Sequence, residues 1–384
     1  MMQISEDWVT EPATQRVCAA LTDAGFQALF VGGCVRNALL GAPVSDIDIA
    51  TDARPEKVVE LAQQAGLKAI PTGIDHGTIT VVSQGIPHEI TTFRRDVETD
   101  GRRAVVAFSD KVEEDAARRD FTMNGIYARS DGTILDPLNG LPDLQARRVR
   151  FIGTAANRIR EDYLRSLRYF RFHAWYGDAE AGFDPDALAA IASNLDGLAG
   201  LSRERVGAEL LKLLGAPDPA PSVAAMRSAG VLVQLLPGAD DRALAPLIAL
   251  EQQAGADPKP VRRLAAIAPP EVAQTLRLSR ALLQRLTRMR DEASSPASFA
   301  ELGFRYGETD GLHEALLRCA FLEMPWLDSI KGDLHVGAGA TFPIRATDLI
   351  PEFTGPALGK KLADLEAKWI ASGFTLGRED LLGG

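Results

Sequence analysis

Residues 29–52, LFVGGCVRNALLGAPVSDIDIATD, set Asp46 and Asp48 in alternation with Ile47 and Ile49. Side chains of a strand alternate between faces, so this register turns Ile47 and Ile49 into a core and both carboxylates to the opposite face. Two like charges so close repel unless a cation lies between them, and Mg²⁺, which takes a few carboxylates plus water and phosphate oxygens, suits the pair. A calcium loop does not, because Ile49 and Ala50 follow where an EF-hand needs a further oxygen ligand and a glycine. Upstream, Gly32-Gly33 ends an apolar strand and opens a helix with Arg36 in its first turn, a geometry that brings backbone N–H groups to a phosphate at the positive helix end. Solvent-facing Asp-x-Asp pairs and plain strand-to-helix glycine turns are both common. Side by side they form the parts of a phosphoryl- or nucleotidyl-transfer site.

The first 150 residues read as mixed α/β. A helix over 12–24 leads to the strand QALFVGG, a helix over 34–40, the strand SDIDIAT and the helix PEKVVELAQQAG; the strands GTITVV and HEITTFR follow, then the hairpin IYARSDGTILDP turning at Ser130-Asp131-Gly132. Residues 96–112 read as a charged mobile loop or a hairpin. After Phe151 helical periods take over, broken at 215–222, 252–260 and 291–298, and TFPI (341–344) is ambiguous between strand and loop. A chain of 384 residues exceeds one hydrophobic core, so two or more domains are expected.

No apolar run reaches the length of a spanning helix, and MMQISEDWVT lacks the basic start and apolar stretch of a signal peptide, so no membrane partner and a cytoplasmic address are expected. Cys18, Cys34 and Cys319 are too few and too scattered for a disulfide framework or a zinc cluster and read as small buried apolar residues. The net charge of -10 argues against a generally basic surface, but residues 94–171 hold fifteen Arg and one Lys against thirteen Asp and Glu, an excess of +3 that leaves -13 elsewhere. Arginine suits bidentate phosphate contacts, although the same stretch also reads as solvated surface charge.

Gly-Gly-x-Val-Arg at 32–36, Leu-Leu-Gly at 39–41 and the Asp46/Asp48 pair resemble the signature of the class II tRNA nucleotidyltransferase and bacterial poly(A) polymerase family. HGTITVV (76–82), EITTFRRD (89–96), RRDFTMNGIY (118–127), LDPLNGLPDL (135–144), REDYLRSLRYFRF (160–172), LSRERVGAELLKLL (201–214) and FPIRATDL (342–349) resemble further family blocks in the family's order, over essentially the whole chain and more weakly between about 240 and 335. The family usually has Asp where this chain has Asn37.

The resemblance implies an α+β fold: a polymerase-beta-like nucleotidyltransferase head with a mixed sheet (1–150), then an all-α neck (151–215), body (216–298) and tail (299–384). It implies template-independent addition of the 3′-terminal CCA to tRNA from CTP and ATP, with Mg²⁺ held by Asp46 and Asp48 in a two-metal mechanism and pyrophosphate released. Glu89 is a candidate third carboxylate. Gly32, Gly33, Arg36, Arg118, Arg119, Asp120 and Asn124 are the implied nucleotide-binding set of the head, with Asp120 and a neighbouring arginine on the ribose hydroxyls and triphosphate. On composition alone, Arg118-Arg119-Asp120 after EEDAAR is equally an exposed charge network of little weight.

Glu161, Asp162, Arg165 and Arg168 are read on one helix, with Asp162 and Arg165 sharing a face at i,i+3 spacing, a pattern that is also that of a surface ion pair. The resemblance makes this the nucleotide-selecting element. Cytosine and adenine each present an exocyclic amine donor beside a ring-nitrogen acceptor, which a carboxylate beside a guanidinium complements; uracil and guanine present the reverse and lose about 1–3 kcal/mol per mismatch. The tRNA acceptor arm, CTP and ATP are the expected partners, and no stable protein partner is. A poly(A) polymerase or A-adding enzyme of the same family and an inactive RNA-binding relative are the alternatives; the histidines form no His-Asp pair and no His-Glu-x-x-His, so no second catalytic centre is expected.

Overall fold

The computed structural model describes residues 2–100 and 103–383. The chain divides into two compact units, Met1–Leu213 with Pro221–Leu235, and Leu214–Ala220 with Leu236–Gly384.

The first unit is built on a seven-stranded sheet in the order β3-β4-β5-β2-β1-β8-β9, formed by β1 (Leu29–Val31), β2 (Ile47–Thr51), β3 (Lys68–Gly73), β4 (Thr78–Ser83), β5 (Ile86–Thr92), β8 (Tyr127–Arg129) and β9 (Ile134–Leu135). β2 and β5 run parallel, with Asp48 opposite Glu89, and the other pairs are antiparallel. β6 (Arg94–Asp100) and β7 (Arg103–Phe108) form a separate two-stranded ribbon, so the segment 96–112 takes the hairpin reading; residues 101 and 102 lie outside the described residues. The sequence reading missed β3 because Pro71 interrupts it. Proline is tolerated there since β3 is an edge strand whose pairing is irregular between Ile70 and Gly73.

One face of the sheet buries Phe30, Ile49, Ile79 and Ile90. Against this face lie two helices that each start with proline at a position needing no N–H, Pro12–Thr22 and Pro55–Gln64, the first burying Ala13, Val17, Cys18 and Leu21 at helical spacing. On the other face Leu29, Val31, Ala50 and Tyr127 pack with Val112 and Ala116 of the helix Val112–Ala117. That packing fixes the end of this helix, and with it Arg118 and Arg119, over the face that also carries Asp48. Ile49 is fully buried as expected, whereas Ile47 is half-buried because it opens the strand, and Asp46 lies just ahead of it, exposed.

Helices follow: Ala155–Glu161, Leu164–Tyr176, Pro185–Ala192 and Arg203–Leu214 carry the chain out of the first unit. The second unit is helical, and its breaks fall at the Pro/Gly/Ser-rich stretches noted above: helices span Leu244–Gln253, Pro260–Ile267, Arg280–Ala293 and Phe299–Phe321. TFPI forms no strand; its Ile344 joins Leu349, Leu365, Trp369 and Leu381 in a hydrophobic cluster. All three cysteines are buried and free, and no helix among the described residues is long and apolar enough to cross a membrane.

Candidate active site

Gly32 leaves β1 with φ 73° and ψ -123°, a conformation open to glycine, and the helix Gly33–Leu40 starts directly behind it. A Cβ on Gly32 would lie 3.6 Å from Arg119 Nη1 and 3.8 Å from Asp48 Oδ2, so the glycine corner, the strand carboxylate and a guanidinium meet at one place. The helix ends at Gly41 in the left-handed region, whence the chain runs to Asp46.

Asp48 is the electrostatic oddity of the sheet. Burial first, then the facing Glu89, and to a lesser degree Asp46, push its carboxyl up to about 6 against the opposing influence of Arg119 and Arg36. Among the described residues no side-chain cation lies within ion-pair distance of it. Asp46 is exposed, with its Oδ2 accepting from the Ser45 hydroxyl at 3.0 Å. Both donors are hard oxygens and Asp48 lacks a counter-charge, a set that fits a small divalent cation completed by substrate oxygens. No group of three or more His, Cys, Asp or Glu that could hold an ion is found among the described residues, and Glu89, the candidate third carboxylate, raises the Asp48 carboxyl through its charge.

Asp48 opens into a cleft of about 590 Å³ lined by Gly32, Gly33, Asn124 and Phe172, with eight arginines, Arg36, Arg94, Arg118, Arg119, Arg165, Arg168, Arg171 and Arg205, against three aspartates, Asp48, Asp120 and Asp162. Most of these arginines are held from behind by a carboxylate. Asp115, 1% exposed, takes Arg118 at 2.8 Å and Arg119 at 3.0 Å and accepts from the Tyr127 hydroxyl at 2.7 Å. Burial pushes its carboxyl up, but Arg119 and Arg118 outweigh burial and hold it below the usual range. EEDAAR is therefore no exposed charge network: its third acidic residue is a buried anchor for two cleft cations. The i,i+3 and i,i+4 spacing from Asp115 was the available signal.

Asp120 is likewise buried. Its Oδ1 accepts from Phe121 N at 2.9 Å and Asn124 Nδ2 at 2.8 Å, and Arg168 donates to Oδ2 from Nε at 2.8 Å and from Nη2. Desolvation raises the carboxyl, yet Arg168 and these hydrogen bonds bring it down to about 2. Asn124 Oδ1 accepts in turn from Arg36 at 2.6 Å. Arg36 also donates to Asn37 Oδ1 at 2.9 Å and to the Tyr176 hydroxyl at 2.8 Å, over the Tyr176 ring at 4.0 Å.

The 161–168 segment departs from the sequence reading. The helix Ala155–Glu161 stops at Glu161; Asp162 is extended (φ -151°, ψ 105°) and a second helix, Leu164–Tyr176, begins beyond it. The Asp162 side chain accepts from Leu164 N at 3.1 Å, the local competition with helix continuation that short acidic side chains offer. Asp162 and Arg165 therefore do not share one helix face, although both line the cleft. Asp162 pairs with Arg205 at 2.7 Å, Arg165 pairs with Glu161 at 2.5 Å, and Glu161 also takes Arg158. Among the cleft residues, Arg205, Arg171 and Arg94 were not singled out in the sequence. Arg171 pairs with Glu209 at 2.7 Å from the same helix as Arg205, which lies within the block LSRERVGAELLKLL. Asp46, Glu89 and Glu161 are outside the cleft lining.

Residues 28–150 match the family described as the poly A polymerase head domain, and residues 182–242 match that described as a probable RNA and SrmB-binding site of polymerase A. Residues 28–150 thus carry a poly A polymerase head domain. Among the relatives of the chain, the human mitochondrial CCA tRNA nucleotidyltransferase 1 is 49% identical over 184 residues, which are 48% of this chain and 42% of the relative. The CCA-adding enzyme of Geobacillus stearothermophilus is 43% identical over 220 residues, 57% of this chain and 52% of the relative. The chain thus matches about half the length of these curated relatives. The crystal structure of the Bacillus stearothermophilus CCA-adding enzyme in complex with CTP superposes with a TM-score of 0.71 at 28% identity, covering 94% of each chain. The Thermotoga maritima CCA-adding enzyme complexed with tRNA shares the fold, with a TM-score of 0.72 at 20% identity.

Proposed function

We propose that the chain is a template-independent nucleotidyltransferase that completes the 3′-terminal CCA of tRNA from CTP and ATP, acting in the cytoplasm and releasing pyrophosphate. The observation that carries this reading is the single cleft in which the Gly32-Gly33 helix start, Asp48, Asp120 and eight arginines meet the ends of the two helices around Asp162. A surface so rich in guanidinium, placed beside a helix N-terminus, is built for a polyphosphate. Asp48 and Asp46 are the residues that would hold Mg²⁺, which when bound supplies a Lewis acid for the attacking 3′-hydroxyl and for the triphosphate.

The protein's own side chains do the rest. Arg36, Arg118 and Arg119 orient the phosphates, so that the α-phosphate presents itself to the tRNA hydroxyl beside Asp48. Asp120, kept ionised by Arg168, has its acceptor sites filled by Phe121 N, Asn124 and Arg168, and a ribose hydroxyl reaches it by replacing one of these donors. Asp162, held by Arg205, and Arg165, held by Glu161, are fixed independently of each other. Each then offers one hydrogen-bonding edge to the base, carboxylate to the exocyclic amine and guanidinium to the ring nitrogen, which admits C and A and rejects U and G. In this reading the head (1–150) performs the transfer, the neck (151–215) selects the base, and the body (216–298) and tail (299–384) offer helical surface to the phosphates of the acceptor arm, whose deep groove is closed to side chains.

The deciding experiment gives CTP and ATP singly and together to tRNA lacking one, two or three terminal nucleotides and sequences the products. C, CC and CCA ends are expected. Failure of C addition while A tails lengthen would replace this reading with poly(A) or A-only synthesis.

A further inference from the structure

We infer that Asn37 sets the anion affinity of the cleft by leaving Arg36 without a negative partner, so that the charge of Arg36 is available to the polyphosphate part of the nucleotide. This rests on the nucleotide-binding reading given above.

The cations of the cleft are not equivalent. Arg118 and Arg119 share Asp115, Arg168 holds Asp120, Arg165 holds Glu161 and Arg205 holds Asp162, so each of these charges is partly spent on a fixed carboxylate. Arg36 is different. Its acceptors are the Asn37 and Asn124 amide oxygens and the Tyr176 hydroxyl, all neutral, and among the described residues no carboxylate oxygen lies within ion-pair distance of it. It is only 7% exposed, and the Tyr176 and Phe172 rings lie 4.0 Å and 5.1 Å from its guanidinium carbon. A buried guanidinium hydrogen-bonded to neutral groups is geometrically fixed but electrostatically unsatisfied, and an arriving anion recovers part of the solvation it has lost. Burial accordingly depresses the Arg36 pKa, with Arg171 adding to the effect against the opposing influence of Tyr176 and Asp120. Its place is right for such an anion: a Cβ on Gly33, the first residue of the helix, would lie 3.9 Å from Arg36 Nη2.

Asn37 is suited to this task by being an amide. Its Oδ1 accepts from Arg36 Nε at 3.2 Å and Nη2 at 2.9 Å, while its Nδ2 donates to the Pro43 carbonyl at 2.8 Å, in the loop that leads to Asp46. A carboxylate in its place keeps the acceptor, loses the donor and sets a full negative charge against Arg36. Asn37 is a positioning residue: it does not line the cleft and acts through Arg36.

The test is calorimetric titration of inorganic tripolyphosphate into the full chain in EDTA, so that neither metal binding nor transfer contributes. Asn37→Asp, an isosteric change, should weaken binding by at least about tenfold at low ionic strength, because a new charge one residue-width from the anion acts through a poorly screened medium, and the difference should shrink as salt rises. Asn37→Ala removes all three hydrogen bonds without adding charge and should stay within about threefold of the parent. Equal affinity of parent and Asn37→Asp overturns the inference, and so does a tenfold loss in Asn37→Ala, which would make the role one of shape. Failure of the parent itself to bind tripolyphosphate overturns the polyphosphate reading of the cleft and the inference with it.

Discussion

Asp48 faces Glu89 across the parallel β2–β5 ladder, two carboxylates side by side on one face of a sheet. Their proximity, added to burial, lifts the Asp48 carboxyl to about 6, above the value of about 3.9 expected in the unfolded chain. The folded state therefore binds the Asp48 proton more tightly than the unfolded one, and stability falls as pH rises between about 4 and 6 and stays reduced above that. In EDTA at pH 7.5, Asp48→Asn should raise the melting temperature, for a gain of at most about 3 kcal/mol, and the gain should vanish near pH 4. Transferase activity should fall to background in the same protein. Added Mg²⁺ should stabilise the parent and leave Asp48→Asn unmoved. A variant less stable than the parent at pH 7.5 would contradict the account of Asp48.

Arg168 and Asp120 make the opposite case. The Asp120 carboxyl is held at about 2, so the pair stabilises the fold above the unfolded pKa of about 3.9 and the contribution is lost as pH falls through 2. Arg168→Ala leaves a buried carboxylate supported by Asn124 and the Phe121 N–H alone. The expected loss is about 2–3 kcal/mol at neutral pH, toward the lower end for a buried pair because the Arg168 side chain is 31% exposed. Chemical denaturation of Arg168→Ala, Asp120→Asn and the double variant measures the coupling; additive losses would show that the two side chains do not act on each other.

What the sequence made legible follows from the range of the interactions involved. The Asp48/Ile49 alternation and the glycine corner at Gly32 are local devices whose spacing alone implies their geometry. The helix break at Asp162 is also local, but it is decided by a side chain hydrogen-bonding to Leu164 N in place of the helical ladder, which periodicity does not register. Arg205 and Arg171 escaped because their roles depend on the meeting of the helices Leu164–Tyr176 and Arg203–Leu214, where each arginine finds its carboxylate on the other helix or at its start. Asp115 was visible by spacing, and only its burial turns an ordinary i,i+4 pair into an anchor for the cleft.

Asp162 and Arg165, if they read the base, do so from separate supports, and the two supports are open to independent removal. Asp162→Ala should lower the preference in kcat/KM for CTP over UTP and for ATP over GTP by about 10–100-fold, the value of about 1–3 kcal/mol for one lost hydrogen-bonding edge. Arg205→Ala, which frees the Asp162 carboxylate without removing it, should shift the same ratios in the same direction by less. Single-nucleotide extension reads the first ratio on tRNA lacking its last two nucleotides and the second on tRNA lacking only its last one, for both variants. Unchanged discrimination in Asp162→Ala would assign base selection to other residues.

In the second unit, Glu251 is 2% exposed and bridges Arg262 at 2.6 Å and Arg263 at 2.7 Å, both of them 1% exposed. Arg262 is further bonded to His313 Nδ1, and Arg263 to the carbonyls of Leu214 and Ala216. One carboxylate thus balances two buried guanidiniums, and its removal leaves charge that water does not reach. Glu251→Gln keeps the shape and loses the charge, and it should destabilise by about 3–5 kcal/mol. Replacing all three residues by apolar side chains of similar volume removes the unpaired charge, and although it takes the Arg263 donor from the Leu214 and Ala216 carbonyls it should still cost less than that single change. Thermal and urea unfolding of the single and triple variants compares them, with tripolyphosphate affinity expected to stay at the parental value in both, since no cleft residue belongs to this network. A triple variant as unstable as Glu251→Gln would mean that the ion cluster itself, and not merely its internal balance, holds these helices together.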